Sequence, residues 1–229
     1  MKHLAIFLLL ISTLASAPAA TAQIGALQTD CRLGGAVDGQ SYQFVATCAG
    51  RAPSPDRRFA IVQHAYTDKQ APIELQDARG RILTRLLTLS DDMPFSVSWA
   101  PDSRWFFVNH HVGSFMDELQ IFEIVRRSAV ERPLLVKSAV RLATRRYPCL
   151  PPAAVLPNGS RWARDSRRIV LVTISRPDAC SSTNRKRVIW RSLWMIGEVR
   201  HGRINPESIR VQPDDKPFQP PRGGPYGDF

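Results

Sequence analysis

One short pattern occurs three times in the 229-residue chain, and it limits the fold more than any other feature. Trp99-Ala-Pro-Asp-Ser-Arg-Trp-Phe-Phe-Val108 matches Trp162-Ala-Arg-Asp-Ser-Arg-Arg-Ile-Val-Leu171, and Pro53-Ser-Pro-Asp-Arg-Arg-Phe-Ala-Ile-Val62 is the third copy. Each copy has an Asp (Asp56, Asp102, Asp165), then a basic residue, then a run of β-branched and aromatic residues. Asp in such a turn bonds its own nearby backbone N–H groups, and Pro before it presets φ. The spacings of 46 and 63 residues suggest a β-array of repeated sheets, with an insertion in the longer interval. Strands are expected at Ile73–Asp77, Ile82–Leu89, Trp105–Asn109, Glu118–Val125, Arg168–Ser175 and Arg187–Val199, with Gly turns at 78–81 and 200–203.

The arrangement resembles the TolB-type β-propeller repeat, a relative of WD repeats. That family's units read Trp-Ser-Pro-Asp-Gly-Lys, an apolar strand, a strand ending in Asp, a Gly turn and Leu-Thr. The matching residues are Ala52–Leu89, where Leu87-Thr88 stands at the Leu-Thr position, and Ser96–Val125. The family's turn Gly is replaced by Arg57, Ser103 and Ser166, and its Pro by Arg164 in the third copy. The resemblance implies a propeller-like scaffold, whereas closed propellers need four to eight units and only three are countable. A degenerate fourth unit from Leu33–Ala49 with later strands, an open array, or association of chains would each resolve that shortfall.

The expected fold class is therefore mainly β: an antiparallel propeller-like or open β-array with one inserted helix. The helix is expected at 133–146, within an insertion at 131–147. Pro133 stands at its start, Arg145 and Arg146 at its end, and Leu135, Ala139, Leu142 and Arg146 share one face. The β-rich domain spans 23–211, with repeat segments near 52–89, 96–125 and 160–211. Residues 212–229 contain five Pro and three Gly and read as an extended tail.

Residues 1–22 read as a cleavable signal peptide. Lys2 and His3 precede an apolar run from Leu4 to Ala15, and Ala20-Thr21-Ala22 places the cleavage before Gln23. The run is too short to span a bilayer, which needs about 20 residues. The expected location is periplasmic or extracellular, with no membrane span after cleavage. Export favours disulfides among Cys31, Cys48, Cys149 and Cys180. Three pairings are possible. Cys31–Cys48 and Cys149–Cys180 close the short loops, and loops of that size stabilise by about 3 kcal/mol in a chain-entropy model. No spacing of metal-ligand type occurs among them.

The net charge of +11 is uneven: residues 126–203 hold 18 basic and 4 acidic residues, a net +14. Arg145, Arg146, Arg164, Arg167, Arg168, Arg185, Lys186 and Arg187 are the candidate binding residues for an anionic partner. In an exported protein that partner is an anionic envelope component or an acidic protein; export disfavours nucleic acid. His110 and Asp117 are the candidate metal or acid–base residues, because they sit in the one dense cluster of such groups. No hydrolase signature, phosphate loop or cofactor motif is present. The leading expectation is an exported non-enzymatic binding protein with a basic surface. The alternatives are a metal-assisted hydrolase using the His110/Asp117 region, and an inhibitor or immunity-type protein that blocks an exported partner.

Overall fold

All three copies of the repeated turn close by the same bonds. The computed structural model describes residues 34–35, 41–44, 49–64, 71–89, 95–113, 116–175, 191–212 and 220–229. Ser54 N–H donates to Phe59 O, Ala100 N–H to Trp105 O, and Ala163 N–H to Arg168 O. Each Asp carboxylate then accepts from the backbone N–H two residues on: Arg58 at 3.0 Å, Arg104 at 2.9 Å and Arg167 at 2.9 Å. The residue between is left-handed, with φ 59° at Arg57, 59° at Ser103 and 60° at Ser166. These are the positions at which the resembled repeat carries Gly.

Each turn feeds an antiparallel sheet. Two short strands, β1 (Gly34–Gly35) and β2 (Ser41–Phe44), come first in the chain. Then β3 (Gly50–Pro53), β4 (Phe59–Gln63), β5 (Ala71–Asp77) and β6 (Ile82–Leu89) pair in that order as the first sheet. The middle sheet takes β7 (Phe95–Trp99), β8 (Trp105–Gly113), β9 (Met116–Val125) and β10 (Ser128–Glu131), and β1–β2 adds to its β7 edge. The third sheet runs β11 (Pro157–Trp162), β12 (Arg168–Ser175), β13 (Arg191–Glu198) and β14 (Arg203–Ile204), with β15 (Arg210–Gln212) also on β13. Register establishes the repeat: Phe59 faces Asp77, Trp105 faces Glu123 and Arg168 faces Glu198.

The fold is thus mainly β, with three antiparallel sheets and one α-helix. Among the described residues no sheet closes on itself and no propeller is present. The suggested fourth unit is also absent there: Ser41–Phe44 pairs with Phe95–Ser98 of the middle sheet, and β14 and β15 stay within the third.

Strand parity sorts the apolar side chains onto sheet faces. Ile61, Ile73 and Leu75 of the first sheet meet Trp99, Phe106, Val108 and Phe122 of the middle one. Trp105, Phe107, Leu119 and Ile121, on the other face of the middle sheet, meet Trp162, Ile169, Leu171, Leu193 and Met195 of the third. The middle sheet is buried on both faces, so the first half of β8, Trp105–Val108, reads as an apolar run rather than an alternating one. Trp99, Trp105 and Trp162 fill these two junctions, and Trp194 is buried on the other face of the third sheet.

Two bonds repeat between successive sheets. Trp99 Nε1–H donates to Ala52 O at 3.1 Å, and Trp162 Nε1–H to Ser98 O at 3.0 Å. Asp56 N–H donates to Ser103 Oγ at 3.0 Å, and Asp102 N–H to Ser166 Oγ at 2.9 Å. The first sheet has Pro53 and Arg57 where these Trp and Ser residues stand, so it lacks both groups that lock a sheet to the one before it.

The inserted helix, α1 (Leu134–Arg146), lies against the third sheet and buries Leu135, Ala139 and Ala143. Its buried face is rotated from the expected one, since Leu142 is only half-buried and Arg146 is exposed. Gly197 and Gly202 make room for it: a β-carbon at Gly197 would collide with the Leu135 side chain, and one at Gly202 would lie 2.7 Å from Leu134 Cβ. Gly202, with φ +65°, also supplies the left-handed residue of the β13–β14 turn.

The stretch read as an extended tail contains a packed end. A 3₁₀ turn at Gly224–Tyr226 places Tyr226 against the outer face of the third sheet. Residues 1–22, with the expected signal peptide, lie outside the described residues, as do Cys31, Cys48 and Cys180. Cys149 is disulfide-bonded.

Candidate functional site

The repeated turns bring charged side chains to one edge of the array. The residue after the left-handed position is Arg in every copy: Arg58, Arg104 and Arg167. The carboxylate opposite each turn, at the end of the sheet's third repeat strand, is Asp77, Glu123 or Glu198. The bonding sheets therefore align three Arg and three carboxylates in a row, and the neighbouring hairpin turns add Arg79, Arg81, Arg126, Arg127 and Arg200.

Three grooves run along this rim. The first, about 530 Å³, is lined by Arg58, Phe59, Asp77, Arg79, Arg81 and Arg127. The second, about 450 Å³, shares Arg58, Phe59 and Arg127 with it and adds Asp102, Arg104 and Arg126. The third, about 370 Å³, shares Asp102 and Arg104 with the second and adds Glu123, Asp165, Arg167, Glu198, Arg200 and His201. The shared residues make the grooves contiguous.

Ion pairs occupy part of this rim. Asp77 accepts from Arg127 at 2.8 Å and lies 3.3 Å from Arg81. Glu123 holds Arg104 at 2.5 Å and Arg132 at 2.8 Å, and Glu198 meets His201 at 2.8 Å. Arg58 pairs with its own turn's Asp56. Arg79, Arg126, Arg167 and Arg200 are exposed and have no side-chain ion-pair partner among the described residues. Each groove thus carries at least one uncommitted guanidinium.

Four carboxylates at this edge, Asp56, Asp77, Glu123 and Asp165, are held below their ordinary values. Asp77 is held below its ordinary range first by the Arg81 backbone N–H, against a raising effect of burial, and then by the Arg79 N–H, Arg81 and Arg127. Burial raises Asp56, Glu123 and Asp165, but other interactions outweigh it and leave all three lowered. The Arg58 N–H, the Ser54 hydroxyl and the Arg58 guanidinium act on Asp56. Arg104 and Arg132 act on Glu123, and the Arg167 N–H and Arg168 on Asp165.

The candidates expected from sequence divide among several places. Arg164 and Arg167 belong to the third turn, and Arg167 lines the third groove. Arg168 is already engaged, by Asp165 at 2.8 Å and Asp228 at 3.2 Å. Arg145 and Arg146 end α1, whose first residue touches Gly202 at the rim. With about 1.5 Å rise per residue they stand roughly 18 Å along the helix from that end, and they line none of the three grooves. Arg185, Lys186 and Arg187 lie outside the described residues.

His110 faces residue 118 across β8–β9, and residue 117 faces His111; the Asp117 side chain is outside the described set. No group of three or more His, Cys, Asp or Glu able to hold a metal occurs among the described residues. His64 is committed to Glu74 at 2.9 Å on the outer face of the first sheet.

Arg58, Arg79, Arg81 and Arg104 were missed, because they lie in the half of the chain whose net charge is slightly negative. The signal for two of them was present in the motif, where Arg follows Asp by two positions in every copy. No family model matches the chain, and no curated protein or solved structure is significantly similar to it.

Proposed function

We propose that this is an exported, non-enzymatic binding protein that engages an anionic partner along the arginine rim. The observation that carries this reading is the distribution of uncommitted guanidiniums: Arg79 in the first groove, Arg126 in the second, and Arg167 and Arg200 in the third. Arg presents a planar fork of donors suited to carboxylate, phosphate and sulfate, and it keeps its charge at any physiological pH. A row of contiguous grooves suits an extended polyanion or an acidic protein edge better than a small ligand. The signal-like residues 1–22 support a partner in the cell envelope or outside the cell.

Retention of the purified chain on immobilised heparin, a sulfated polyanion, tests the reading. Substituting Arg79, Arg126 and Arg167 together with Gln should lower the salt needed for elution and reduce the slope of log affinity against log salt by about one per lost contact. Replacing Arg141, Arg145 and Arg146 with Gln removes the same charge from the helix and should leave elution nearly unchanged. Equal losses from the two triple variants would show that net charge alone governs binding and would sink the proposal.

A further inference from the structure

Among the described residues no fourth sheet follows the third, yet its outward face is apolar and covered. Val170, Val172, Trp194 and Ile196 are buried on that face, and the residues packed with them include Tyr226 and Phe229. We propose that this face is a docking site for an extended segment of a partner protein that presents an acidic residue followed by an aromatic. In this structure the chain's own residues 220–229 occupy it.

The occupant's chemistry is read from what holds the resident segment. Asp228 lies 3.2 Å from Arg168, and the Phe229 ring sits 5.7 Å from the Arg168 guanidinium and 6.0 Å from that of Arg161. Arg168 thus pairs with the carboxylate while both cations flank the ring, combining one ion pair with two cation–π contacts. Arg161 also reaches Pro221 O at 3.4 Å, and Tyr226 Oη donates to Ser208 O at 2.6 Å. These are point contacts from a loop, whereas the two internal sheet junctions are formed by whole sheets.

The resident segment fits incompletely. The Trp194 indole N–H is buried, with Trp194 only 2% exposed, and among the described residues neither it nor the buried Arg161 Nε has a hydrogen-bond acceptor. Buried donors without acceptors are costly, so an occupant that brings a carbonyl to them gains over the chain's own segment. A second copy of this chain is the poorer occupant by both routes. Its first sheet has Pro53 and Arg57 in place of the locking Trp and Ser, and its own 220–229 segment would repeat the same incomplete fit.

A fluorescently labelled synthetic peptide of residues 220–229, titrated by anisotropy against the full chain, tests the site. The wild type should bind it weakly, because its own segment competes. A full-chain Tyr226→Ala/Phe229→Ala variant should bind it at least about tenfold more tightly. Asp228→Asn in the peptide, or Arg168→Gln in the receptor variant, should weaken that binding by about tenfold. No saturable binding to a variant that melts cooperatively, or equal binding of a scrambled peptide, overturns the proposal. Should the double variant fail to fold, the Phe229→Ala single variant provides the same comparison. A wild-type dimer that Phe229→Ala dissociates would assign the face to a second copy and overturn the assignment to a foreign partner.

Discussion

Arg57, Ser103 and Ser166 adopt a left-handed backbone that costs a residue with a β-carbon about 1–2 kcal/mol. Ser103 and Ser166 offset that cost, since each hydroxyl accepts a backbone N–H from the preceding sheet, 47 and 64 residues away in sequence. Arg57 accepts no such bond. Arg57→Gly and Ser103→Gly therefore make the same backbone change, but only the second deletes an inter-sheet bond. Arg57→Gly is expected to be neutral or stabilising. Ser103→Gly should be less stable than Arg57→Gly by about 1 kcal/mol. Chemical denaturation of the two variants checks this, and indistinguishable midpoint shifts would remove the bond from the account. At this scale the sequence shows that Gly has been replaced, because the repeat aligns the three positions. The reason for the replacement was not legible, because a serine's partner across a sheet junction leaves no local trace.

The inserted element depends on one glycine in a neighbouring strand. Leu135 is fully buried and occupies the space above Gly197 of β13. Gly197→Ala should destabilise by roughly 1–3 kcal/mol through overpacking, and Leu135→Ala by roughly 2–5 kcal/mol through the cavity it leaves. Placed together, the new methyl partly refills the cavity, so the double variant should be less destabilised than the two single costs added. Strict additivity in thermal melts would show that the two residues do not share this space. The helix was legible from its 3.6-residue period and the Pro at its start, and the expected 133–146 is within one residue of Leu134–Arg146. Its seat was not legible, because Gly197 directly follows the apolar run Leu193–Ile196 within a strand and carries no turn signal. The rim shows the same divide. The Arg two places after each Asp was visible in the motif. Its alignment with Arg79, Arg126 and Arg200 depends on hairpin turns from three sheets meeting at one edge, which net charge along the chain obscures.

For the whole molecule, the charge network sets a stability plateau with two flanks of different origin. Asp56, Asp77, Glu123 and Asp165 all titrate below their ordinary values in the folded chain. Below about pH 4 the unfolded chain, with carboxyls near their reference values, binds more protons than the folded one, so stability must fall as acid is added. On the alkaline side Tyr226 is pushed up to about 12 by burial, partly countered by Arg210 and Arg161. The unfolded phenol ionises near pH 10, so the stability that the neutral Tyr226 contributes is present below about 10 and lost between about 10 and 12. Arginine barely titrates in this range, so most of the 31 basic residues keep their charge and do not mask that flank. Melting temperature should be nearly level between the flanks. Glu123→Gln should shallow the acid fall. Tyr226→Phe, which also loses the bond to Ser208 O, should lower the plateau and shallow the alkaline fall. An alkaline flank of unchanged steepness in Tyr226→Phe would mean that ionisation of Tyr226 is not coupled to unfolding and that another group sets the alkaline limit.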